Sequence, residues 1–148
     1  MNISDLRGID ISSWQAGISA SALNSVNFAI FKISEGTGWN DPCFDEFYNA
    51  AKIPIGAYVF SYATTEAAAI AEAKHALDLI KGRPLPLGVY MDVEAKEQLA
   101  LRDSVLTAVV KAFCDTIRAG GYRPGGRLRR ASGVCYPLYG GTDGRCRL

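Results

Sequence analysis

No run in this chain reaches the roughly 18 apolar residues that a membrane-spanning helix needs, so no membrane partner is expected. The opening residues, M-N-I-S-D-L-R-G-I-D, lack a basic region followed by an apolar one, and no Sec signal is expected from them. Four cysteines (Cys43, Cys114, Cys135, Cys146) show no C-x-x-C spacing, which argues against zinc. Cys43 and Cys114 read as reduced, helix-buried thiols. No G-x-G-x-x-G or G-x-x-x-x-G-K-[ST] run follows an apolar segment, which weighs against nucleotide binding. The single histidine, His75, sits alone in an alanine-rich segment and reads as a surface residue. Net charge is +1, which leaves no electrostatic footprint for nucleic acid. Neither a cofactor nor a metal is expected.

What is present suits one soluble globular domain. The 148 residues are 49% apolar and 21% charged, ordinary values for a chain that buries a core. Apolar segments alternate with amphipathic ones. Arg7–Ser12 reads as a short strand, with Ile9 and Ile11 on one side and Asp10 on the other. Ser19 or Ser21 caps a short helical turn. Asn27–Ile33 reads as a strand buried on both faces, unusual for containing Lys32. Ser34–Asn40 is a glycine-punctuated loop, and Asp41 with Pro42 behind it marks a helix start. Ile53–Tyr62 is a second alternating strand. Thr64 or Thr65 caps a helix over Glu66–Ile80, with Ile70, Ala73, Leu77 and Ile80 as its stripe. Leu101–Ala119 is a long amphipathic helix that Gly120 and Gly121 end.

Between the last two helices lies Leu85–Glu94, L-P-L-G-V-Y-M-D-V-E. As a strand it sets Leu87, Val89, Met91 and Val93 on one face. Gly88, Tyr90, Asp92 and Glu94 share the other. Carboxyls at i and i+2 have Cβ atoms roughly 6.5–7 Å apart, and flexible side chains bring their oxygens to about 5–6 Å. That is close to the spacing of retaining glycosidases. Taken alone, a solvated strand end with two charges by chance stands equally beside that reading.

Strand–helix alternation implies parallel strands with right-handed crossovers. An open doubly wound sheet and part of a (β/α) barrel both fit. Acids and aromatics at C-terminal strand ends favour the barrel, whose active sites lie there. Asp10, the Tyr58–Tyr62 aromatics, Asp92 and Glu94 would meet on one rim, with Glu35 and Trp39 from the loop after the second strand. Acids flanked by aromatic rings suit a carbohydrate.

Four segments carry a family resemblance: G-I-D-I-S-S-W-Q at 8–15, F-A-I-F-K-I-S-E-G-T-G-W-N-D-P at 28–42, I-P-I-G-A-Y-V-F at 53–60 and G-V-Y-M-D-V-E at 88–94. Together, over about 1–124, they resemble glycoside hydrolase family 25, the N-acetylmuramidase lysozymes of bacteria, fungi and phages. The resemblance implies an irregular barrel of eight strands and five helices. It also implies retaining cleavage of the β-1,4 bond between N-acetylmuramic acid and N-acetylglucosamine, with peptidoglycan glycan strands as partner. On that pattern Glu94 matches the general acid. Asp92 matches its partner, a nucleophile or a group orienting the substrate's acetamido. Asp10 matches an acid that shapes the field of the site. Lys32 and Glu35 match a charge-paired support, and Tyr58 and Tyr62 match sugar contacts. For Tyr58 and Phe60, plain barrel filling stands beside that role; for Trp14 and Trp39, packing stands beside stacking. The site of action implied is the cell wall, with cytoplasmic synthesis and phage-type or other release.

The sequence departs from the family after Pro124. Residues 1–119 hold 14 acidic and 10 basic side chains, whereas the last 29 residues hold six Arg, one Asp and eight Gly. The expected fold class is therefore a partial (β/α) barrel: four to five parallel strands with helices in 1–124, and an irregular Arg/Gly-rich tail in 125–148. A shifted or misassembled reading frame near Pro124 accounts for such a tail. A half-barrel leaves Phe28, Ile30, Tyr58, Phe60 and Tyr90 facing an uncovered interior, and its edges invite self-association. Two other functions stand beside hydrolysis. One is a non-catalytic glycan-binding remnant, and the other is a module using the basic tail for an anionic polymer.

Overall fold

The computed structural model describes residues 6–128. Cys135, Cys146 and all but the first four residues of the 125–148 tail lie outside the described residues. Five parallel strands form one sheet in the order β1 (Gly8–Ile11), β2 (Phe28–Glu35), β4 (Ile55–Phe60), β5 (Val89–Asp92) and β6 (Pro124–Leu128). A two-residue strand, β3 (Trp39–Asn40), turns back antiparallel onto the end of β2. The helices are α1 (Ala20–Leu23), α2 (Phe44–Ala50), α3 (Glu66–Ile80), α4 (Lys96–Leu99) and α5 (Asp103–Ala119).

Strand order follows chain order without reversal, and this decides between the two architectures. A doubly wound sheet reverses at a switch point and carries helices on both faces. Here the helical side chains gather on one face: Phe47, Ala73, Ala76, Val109, Phe113 and Ile117 share a buried cluster with Phe31, Ala57, Val59, Val89 and Met91. The opposite face has a separate cluster built from strands alone, Ile30, Tyr58 and Tyr90 with Phe28 against them. This is the inner face of a partial (β/α) barrel.

That inner face corrects one expectation. Ile30, Tyr58 and Tyr90 are not uncovered: they are 1%, 4% and 4% exposed. Their neighbours are glycines, over which large rings can lie. A Cβ on Gly125 would fall 2.3–2.4 Å from atoms of the Tyr90 ring, and one on Gly8 would fall 2.1 Å from the Phe28 ring. Phe28 and Phe60 remain half-buried.

Local chemistry fixes most element ends. Thr65 caps α3 by accepting from the Ala68 N–H, and Ser19 caps α1 by accepting from the Ala22 N–H. Asn24 holds the join between α2 and β4, accepting from the Lys52 N–H at 2.6 Å and donating to the Ala50 carbonyl at 3.0 Å. Two helices begin later than the sequence suggests. α2 starts at Phe44 behind Cys43, and Asp41 holds the turn before it: Oδ1 accepts from the Cys43 N–H and Oδ2 from the Ser13 N–H across the sheet end. α5 starts at Asp103, and the separate turn α4 precedes it. Cys114 is buried inside α5, whereas Cys43 is half-buried just ahead of its helix.

Candidate active site

The acidic pair sits where parallel strands deliver it. Met91 and Val93 both lie in the helix-covered cluster. Alternation therefore turns Tyr90 and Asp92 to the inner side, and Glu94 follows beyond the strand end. Asp92 closes β5 and is buried; Glu94 follows it, half-buried, just before α4. The Ser61 N–H donates to the Asp92 carbonyl at 3.0 Å, so pairing with the β4 segment continues to the rim.

Register sorts the inner face into rows. Glu35, Phe60 and Asp92 share the top row. Lys32, Tyr58 and Tyr90 share the row beneath. Asp10 pairs with Ile30 one row lower, which in turn pairs with Gly56. Asp10 is half-buried and faces inward, since its neighbours Ile9 and Ile11 pack outward. It stands three strands from Asp92, roughly 14 Å across the sheet at the usual strand spacing, and the register also sets it two rows lower along the strands.

Beside this row lies a charged and aromatic group. Lys32, 6% exposed, pairs with Glu35 Oε1, and its ammonium also stands 5.4 Å from the Trp39 ring centroid and 5.2 Å from that of Phe60. Burying an ammonium requires such partners. The second oxygen of Glu35 accepts from the Tyr62 hydroxyl at 3.2 Å. The pair faces one way because β2 carries a bulge between Lys32 and Ser34, which puts two residues opposite one. Phe60 and Tyr62 pack with centroids 5.2 Å apart.

Glu35, Trp39 and Tyr62 also border an open cleft of about 430 Å³, with Gly36–Gly38 on one side and Ala68 and Glu72 of α3 on the other. Trp39 and Tyr62 are 41% and 52% exposed, so both offer ring faces to a ligand. Tyr58 is brought to the row below and is buried among Ile30 and Tyr90. Trp14, on a 3-10 turn at Ser13–Gln15, is exposed and belongs to no described cluster. Asp10 and Asp92 line the inner face instead of this cleft.

Glu72 escaped the sequence reading. It is 4% exposed, and both its oxygens accept hydrogen bonds, from Ser61 Oγ at 2.5 Å and from the Tyr62 N–H at 3.0 Å. Burial pushes its carboxyl above the ordinary range, while bonds from Ser61 and the Tyr62 and Ala63 amides pull the other way. Gln98 of α4 completes the group by donating to Ser61 Oγ and to the Ala63 carbonyl, both at 2.9 Å. One signal was available: Glu72 falls among Ala69, Ala73, Ala76 and Ile80, the buried stripe of α3. An acid on the core face of a helix needs partners. Ile70, expected on that stripe, lies outside it at 36% exposed.

The fold has counterparts of known structure. The modular autolysin LytC of Streptococcus pneumoniae superposes with a TM-score of 0.67 at 24% identity, over 84% of this chain and 32% of its own. The muramidase of Trichobolus zukalii gives 0.64 at 26% identity, over 78% and 62%. The bacterial lysozyme of Streptomyces coelicolor gives 0.62 at 26%, over 80% and 59%. The chain thus covers from about a third to three fifths of the length of these relatives. No curated protein matches it. The sequence pattern of Glycosyl hydrolases family 25 matches residues 9–125, a span that runs from the strand bearing Asp10 through the acidic pair to the start of β6. By that match, which takes in most of the chain, the chain belongs to glycosyl hydrolase family 25.

Proposed function

We propose that this chain hydrolyses the β-1,4 bond between N-acetylmuramic acid and N-acetylglucosamine in bacterial peptidoglycan, with retention of configuration. The reading is supported by the family 25 match together with the acidic pair, Asp92 closing β5 and Glu94 two residues on. Glu94 donates its proton to the glycosidic oxygen as the bond to the anomeric carbon breaks. Asp92 faces the positive charge that develops at that carbon, either bonding to it or orienting the substrate's own acetamido group to do so. Water then attacks, returning a proton to Glu94 and releasing a reducing end. Asp10 strengthens the negative field around the oxocarbenium centre. Trp39 and Tyr62 stack on sugar rings at the rim, Glu35 holds Tyr62, and Tyr58 shapes the floor. LytC has been seen with a synthetic peptidoglycan ligand, which supports the substrate class. The reading places the chain's action at the cell wall. Among the described residues no helix is long and apolar enough to cross a membrane. β1 and β6 are the outer strands of the described sheet. Unpaired strand edges of this kind support self-association of the chain, which sedimentation would read.

Reducing ends released from purified cell-wall sacculi test the activity. Wild-type chain should release them, and Glu94→Gln should lower the rate by about 10²–10⁴-fold. Asp92→Asn should lower it as well, and trapping of a glycosyl–enzyme would separate its two roles. Binding to sacculi with no release by the wild type would replace hydrolysis with the non-catalytic glycan-binding reading.

A further inference from the structure

The buried carboxylate on α3 lies outside the acid pair, yet the loop that its bonds hold, at Ser61 and Tyr62, touches the segments that carry that pair. Ser61 is the hub. Its Oγ accepts from the Ala63 N–H at 3.1 Å and from Gln98 Nε2 at 2.9 Å. The Ala63 carbonyl fixes which end of the Gln98 amide faces the loop, because it accepts from the same nitrogen. A hydroxyl has one proton to give. With two donors already aimed at its oxygen, Ser61 must send that proton to an acceptor, and Glu72 Oε2 is there. The other oxygen, Oε1, receives the Tyr62 N–H. Position 72 therefore needs acceptors at both ends. A carboxylate supplies them; an amide supplies one.

The loop so pinned is tied to the acidic segment twice. The Ser61 N–H bonds the Asp92 carbonyl, and Gln98 belongs to α4, which begins two residues after Glu94. The same loop carries Tyr62, whose hydroxyl reaches Glu35.

We infer that Glu72 is a positioning residue of the hydrolase: through Ser61 and Gln98 it fixes the Asp92–Glu94 segment and the Tyr62 rim against each other. The inference rests on the roles given above to Asp92 and Glu94. It differs from a plain core contact in its reach. A local contact holds only the loop over 61–63, whereas a positioning network also holds 93–98, across the strand pair.

Glu72→Gln tests this, since it keeps size and removes one acceptor. Amide hydrogen exchange in the full chain should quicken by at least about tenfold at Tyr62 and Ala63 and also over 93–98, as loss of a charge-assisted bond implies. Turnover of sacculi per folded molecule should show kcat lowered by about tenfold or more, a larger change than the rise in KM that loosening the Tyr62 rim brings. Should Glu72→Gln not fold, Ser61→Ala reads the same two segments while leaving the carboxylate in place. Faster exchange confined to 61–63, with 93–98 and kcat unchanged, overturns the inference. If the wild type releases no reducing ends, the hydrolase reading fails separately, and exchange over 93–98 alone decides whether Glu72 holds that segment.

Discussion

The ring of Tyr90 on β5 lies across Gly125 on β6, so close that a methyl group at position 125 would overlap three of its ring carbons. Tyr90 is buried and has little room to swing away. Gly125→Ala should destabilise the chain by about 1–3 kcal/mol, the usual range for overpacking. In a Tyr90→Leu background the same change should cost less, and the difference between the two is the coupling. Urea unfolding of the four proteins measures it.

Gly88 should be less tolerant still. Its φ is +88°, and a Cβ there would stand 2.5 Å from the Arg123 carbonyl oxygen. The left-handed conformation alone costs a side chain roughly 1–2 kcal/mol. The obstacle is also backbone, which cannot rotate aside as a ring can. Gly88→Ala should therefore lower the urea midpoint further than Gly125→Ala; an equal or smaller shift would contradict the described close approach.

The two halves of the Lys32–Glu35 pair should prove unequal. Lys32 has a side chain 7% exposed, and that of Glu35 is 32% exposed. Lys32→Met leaves a carboxylate that water and the Tyr62 hydroxyl still reach, at a cost of about 1–2 kcal/mol. Glu35→Ala leaves a buried ammonium with only ring faces to meet it, and should cost more, toward about 3 kcal/mol. Equal losses in unfolding experiments would argue against the burial asymmetry.

Stability should carry a pH signature from Glu72. Its carboxyl is raised in the folded chain above 4.5, chiefly by burial. The folded state therefore holds the proton more tightly than the unfolded one. Stability from this group is full below pH 4.5 and declines as pH rises through the folded value. Glu72→Gln has no such proton. The wild type should accordingly lose its advantage over the variant across that window, seen as converging unfolding free energies with rising pH. Divergence would mean a lowered carboxyl instead.

Legibility in the sequence followed the strength of local signals. α3 has a cap, a periodic body and a glycine behind it, and its bounds coincide with those expected, Glu66–Ile80. Its buried face was misjudged, however, since alanine on nearly every side leaves the pattern no direction. Tertiary packing turned Glu72 inward and left Ile70 out. The strand expected over Leu85–Glu94 is present at Val89–Asp92, where alternation and burial coincide. β2 runs two residues past its expected end into Ser34 and Glu35, and β3 lay within what was read as loop. A bulge breaks the two-residue period, and a two-residue strand has no period to show. For the acids, the sequence offered their order along strands; how near Asp10 comes to Asp92 depends on sheet curvature, which no residue spacing encodes.

The extra residue in β2 has an unexpected weight. Were the bulge straightened with every residue kept, alternation would run on from Lys32 and Ser34 would take the inward place. The carboxylate would then point among apolar helices, and the ammonium would be stranded inside the barrel opposite two tyrosines. Excising Ser34 alone should instead restore plain alternation, Lys32 in, Ile33 out and Glu35 in, and leave the carboxylate on the inner side. A single backbone bulge, more than any side chain near it, sets the electrical polarity of that rim.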